Sequence, residues 1–110
     1  MPYNEQLAAR VRQALAGLPA VAEKKMMGGL TFMVDEKMCV GIMKDELMCR
    51  INPDVYAAAL QRKGCHEMAL GGRVLKGFVL VGPEGIQKEA DFSYWMRQAL
   101  AYNKMVPRRK

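Results

Sequence analysis

An α+β fold, one antiparallel sheet flanked by helices, is predicted by three features of this 110-residue chain. Glycines and pairs of charged residues cut its middle into short apolar runs of strand length. One helical apolar stripe precedes these runs, and a second follows them. A single sheet covered by helices buries all of these faces with the fewest layers. The predicted order is α-β-β-β-α-β(-β)-α: a three-strand meander plus one or two further strands, with three helices.

The elements follow in order. Asn4 is placed to cap a first helix, and Leu7, Val11, Ala14, Leu15 and Leu18 form its apolar stripe. Leu18-Pro19 is the expected stop, because a residue before proline disfavours helical angles. The first strand runs from Gly29 to Val34. Asp35-Glu36 turns into Lys37 to Met43, and Lys44-Asp45-Glu46 turns into Leu47 to Ile51. Asn52-Pro53-Asp54 opens a second helix, with proline where its missing N–H costs nothing. Val55, Tyr56, Ala59 and Leu60 are its buried face, and Gly64 is its stop. Met68 to Leu70 reads as a short strand, and Val74 to Val81 as a long one. The last helix starts between Ile86 and Asp91 and runs to about Asn103, with Phe92, Trp95, Met96, Ala99 and Leu100 in its core stripe.

The length suits one domain, expected over residues 1–107, with a basic tail at 108–110. A hydrophobic content of 51% is enough for one core. No apolar run approaches the ~18 residues needed to span a bilayer, and the N-terminus lacks the pattern of a secretory signal. Three cysteines, an odd number without CxxC spacing, fit a reducing compartment, so the expected location is cytoplasmic. Arg108, Arg109 and Lys110 carry half of the formal charge of +6. What remains is a mild excess.

No enzymatic constellation emerges, and no catalytic residue, metal or cofactor is expected. Gly72 to Gly77 has the glycine spacing of a phosphate loop, but Phe78-Val79 stand where Lys and Ser or Thr are required. Cys65-His66 adjoin in sequence, yet neighbours on a strand point to opposite faces. A metal would need Cys39, Cys49 and His66 to converge, and nothing in their spacing requires that. Cys39 and Cys49 lie on neighbouring strands. A two-residue loop separates their faces, and a three-residue loop brings them diagonal. Buried packing is the role expected of both.

Two surfaces remain as candidates. Met38, Val40 and Ile42 share one sheet face with Leu47, Cys49 and Ile51. Cys39, Gly41, Met43, Met48 and Arg50 face the other way, and Arg50 marks that face as partly solvated. Met43 and Met48 are therefore expected to form an exposed apolar patch beside Arg50, since methionine makes adaptable contact surfaces. An unknown protein partner, or a second copy in a homodimer, is the expected occupant. The alternative is weak nucleic-acid binding through Lys24, Lys25 and the tail Arg108, Arg109 and Lys110. No aromatic residue is interleaved with these charges for stacking.

The segment Lys24-Lys25-Met26-Met27-Gly28-Gly29-Leu30-Thr31-Phe32-Met33 resembles the opening signature of the TfoX N-terminal domain family, related to the competence regulator TfoX/Sxy. The similarity continues through Leu47 to Ile51, Leu75 to Val81 and Trp95 to Leu100. The resemblance implies a compact α+β domain, a bacterial cytoplasmic setting and an association with DNA transformation; a single-domain version is expected. It supplies no catalytic residues. The expected function is a non-enzymatic regulatory or adaptor domain acting through protein–protein contacts.

Overall fold

The computed structural model describes residues 3–26 and 28–106. Asn4 caps helix α1 (Glu5–Leu15), its side-chain oxygen accepting from the N–H groups of Gln6 and Leu7 at 2.9 and 3.1 Å. α1 ends three residues before the expected proline stop, because Ala16 is already extended and Leu18 has no core to enter and stays exposed.

Six strands follow: β1 (Val21–Met26), β2 (Gly29–Val34), β3 (Lys37–Met43), β4 (Glu46–Arg50), β5 (Cys65–Leu70) and β6 (Arg73–Val81). They form one antiparallel sheet in the order β1-β2-β3-β4-β6-β5. The α+β class and the antiparallel sheet are as expected. The meander has a fourth strand, β1, ahead of the three that were expected. Between β4 and β5, a 3-10 turn at Pro53–Val55 leads into α2 (Tyr56–Ala59), one turn rather than a helix reaching Gly64. A further short turn, α3 (Pro83–Ile86), precedes the long α4 (Glu89–Met105).

Strand alternation puts two cross-strand rows under the helices. One runs Lys25, Leu30, Ile42, Leu47, Val81 and Cys65; the other runs Glu23, Phe32, Val40, Cys49, Val79 and Glu67. The apolar interior members of these rows join Leu7, Val11 and Leu15 of α1, Ala59 of α2, Ile86 of α3, and Phe92, Trp95, Met96 and Ala99 of α4 in one buried cluster.

Two local features set the geometry of the sheet. Asp35 and Glu36 both adopt left-handed angles (φ 55° and 66°), which makes the two-residue turn that pairs Val34 with Lys37. A bulge then intervenes, with Phe32 opposite Val40 but Met33 opposite Met38. Cys39 is the extra residue. It turns inward to the cluster that holds Cys49, against its expected outward face, although the two-residue Lys44-Asp45 turn by itself would separate the two; Met38, expected beside Val40 and Ile42, goes instead to the opposite face with Met33.

Candidate functional site

The opposite face of the sheet departs from the apolar-in, polar-out alternation usual for an antiparallel sheet with one open side. Its central row runs Lys24, Thr31, Gly41, Met48, Leu80 and His66 across all six strands. Met33 and Met38 pair on one side of this row, and Met43 pairs with Glu46 on the other. Met33, Met38, Met43 and Leu80 are half-buried. The helices send their buried apolar residues to the other face, so none of the described helices covers this one.

The expected exposed pair Met43 and Met48 is corrected by the structure. Met48 is only 1% exposed. A Cβ placed on Gly41, directly across from it, would lie 3.0 Å from the Met48 terminal methyl, so the methionine lies flat in the space the glycine leaves. Thr31 and Met68 are likewise buried and lie outside the main cluster. Met43 remains half-buried and accessible. The accessible apolar patch is therefore Met33, Met38 and Met43, with Met48 beneath. Strand periodicity alone does not show this, because the depth of a methionine depends on the residue opposite.

Arg50 is half-buried, its guanidinium 5.7 Å from the ring centroids of both Phe78 and Tyr102. Near the other end of the face, the ring Nε2 of His66 lies 2.6 Å from Glu46 Oε2. Cys65, next in sequence, packs against the helix-side core, so the thiol and the imidazole diverge. Cys39 and Cys49 are buried in that core and do not converge with His66. Burial pushes the Cys39 thiol up to about 12 and the Cys65 thiol up to about 11, and holds Cys49 well above the usual thiol range. All three are protonated near neutral pH and are poor nucleophiles and poor metal ligands. Among the described residues, no group of three or more Cys, His, Asp or Glu side chains could hold a metal ion.

Lys24 and Lys25 lie on β1, where alternation sends one to the open face and the other to the helix side. They do not form one basic patch. The tail residues Arg108, Arg109 and Lys110 lie outside the described residues, as does Met27. None of the described helices is long and apolar enough to cross a membrane.

The fold and surface describe a compact domain with one helix-covered sheet face and one methionine-lined open face. The family model of the TfoX N-terminal domain matches residues 13–102, and the chain belongs to that family. No curated protein and no solved structure matches it.

Proposed function

We propose that this chain is a regulatory or adaptor domain that works by protein contact, with the open methionine-lined face as its contact surface. The observation that carries this reading is a sheet covered by helices on one face, whose other face carries half-buried methionines and Leu80 around its centre. An uncovered apolar face is a common mark of an interaction site, and methionine side chains adapt to partners of varied shape. Arg50, near the Phe78 ring and the Tyr102 ring of α4, would border the contact as a partly desolvated cation. Membership of the family makes competence regulation the natural context, and the free thiols suit a cytoplasmic setting.

The test is crosslinking in native cells with the wild-type chain and a Met33→Lys/Met43→Lys variant. Both positions are half-buried on the open face, so the variant is expected to keep its unfolding free energy within about 1 kcal/mol. It is expected to bind the captured partner at least about tenfold more weakly, since charge in a contact centre is poorly tolerated. A folded variant that captures the same partner equally well would sink the reading. Nucleic-acid binding is less well supported, because Lys24 and Lys25 face opposite ways.

A further inference from the structure

The two edges of the sheet differ. β5 is interrupted, its pairing with β6 shifting between Glu67 and Ala69. β1 is regular, all six residues from Val21 to Met26 pairing in unbroken register with β2. Val21 to Lys25 are exposed, and no described strand pairs with the outer side of β1. On an edge strand, alternate residues direct their N–H and C=O groups outward, where only water satisfies them.

The charges on this edge are uneven. Glu23 is held by Arg12 of α1 in a two-pronged contact at 2.8 and 2.9 Å. The side chains of Lys24 and Lys25 have no hydrogen bond or ion pair among the described residues. The edge therefore offers a row of backbone groups and two uncompensated cations, one on each face. We propose that β1 receives an extended acidic segment of a partner protein as a seventh strand, with successive carboxylates facing Lys24 and Lys25. The inference rests on the reading of the chain as a binding domain. It uses the edge rather than the methionine face, so the two tests fail independently.

A second copy fits this edge less well. A two-fold axis normal to a continuous sheet pairs residues that share a face, so an odd-numbered residue meets an odd one and an even meets an even. The registers with the greatest overlap then set either Glu23 or Lys24 against itself. Like charges directly opposite are destabilising, which counts fully against the Lys24 register; in the Glu23 register Arg12 offsets each carboxylate, but Lys24 and Lys25 then face Ala22 and Val21 and gain no counter-charge. In the Lys24 register, Lys25 would face a Glu23 already neutralised by Arg12. The same lysines disfavour an apolar or basic edge and favour an acidic one.

The probe is the extended peptide Thr-Val-Glu-Glu-Val-Thr, with Thr-Val-Lys-Lys-Val-Thr as its counterpart, titrated into the full isotope-labelled chain and followed by amide NMR. The acidic peptide is expected to shift amides of β1 and β2 and to slow hydrogen exchange on β1. Its affinity is expected to fall roughly tenfold between about 50 and about 500 mM salt. Lys24→Gln/Lys25→Gln is expected to weaken it several-fold, and Lys24→Glu/Lys25→Glu to abolish it; both variants alter only exposed side chains. Equal binding of the two peptides, shifts confined to the Met33–Met43 face, or no shift at millimolar peptide would each overturn the proposal. So would concentration-dependent β1 shifts without peptide, which would assign the edge to a second copy.

Discussion

The ammonium of Lys37 lies 2.6 Å from the carbonyl oxygens of both Asn103 and Val106, in the last turn of α4 and just beyond it. A helix C-terminus leaves its final carbonyls without intrahelical donors, and a cation there also meets the negative end of the helix dipole. Lys37 is only 8% exposed, and Asp35 lies 3.7 Å from its nitrogen. Lys37→Met keeps the aliphatic stem and leaves two carbonyls without their partner. The expected loss is about 2–4 kcal/mol in urea unfolding followed through the buried Trp95. In sequence, Lys37 is the first residue of a strand after the Asp35-Glu36 turn, and nothing beside it marks it as buried. Its acceptors come 66 and 69 residues later, beyond any local pattern.

At the scale of elements, β1 was missed for a physical reason. Val-Ala-Glu-Lys-Lys-Met lacks the apolar alternation of a half-buried strand, and its described side chains are exposed. It is a strand because β2 pairs with it, a tertiary condition rather than a propensity. By contrast, the hairpin from β2 to β3 and the turn into β4 were legible, because charged turn pairs separate apolar runs there. The Gly28-Gly29 pair proves to have two distinct roles. Gly28 takes a left-handed turn (φ 75°), whereas Gly29 is already inside β2. A side chain at Gly29 would run into the backbone carbonyl of Ile42 on β3. Gly29→Ala must therefore push β3 away from β2. It is expected to cost about 3 kcal/mol or more, or to prevent folding, as circular dichroism and thermal unfolding would report. Gly28→Ala meets no neighbour and is expected to cost less, about 1–2 kcal/mol for the left-handed backbone alone.

For the whole molecule, one consequence of the fold is that Cys39, Cys49 and Cys65 all meet the helix-side core. Their folded-state acidities are weakened by burial, with Cys39 at about 12 and Cys65 at about 11. An unfolded thiol ionises near 8.5. The folded state thus holds its thiol protons more tightly. This contribution to stability is full below the unfolded value and is lost as pH rises through the folded ones. The urea midpoint is expected to fall between pH 8 and 11, and less steeply in Cys49→Ala after allowance for its lower starting stability. A midpoint independent of pH in that window would contradict the burial of these groups. The amino-acid sequence by itself determined the class, most of the strands, the Asn4 and Asn52 N-caps and the family, because these follow from local periodicity, turn chemistry and a linear motif. Tertiary structure alone decided that Lys24 and Lys25 sit on an edge strand, that Cys39 turns inward at a bulge, and that Met48 is buried while Met43 is not. Each of these depends on what stands across the sheet. A residue's neighbours along the chain determine its conformation and the face it takes, but its burial depends on residues brought to it by the fold.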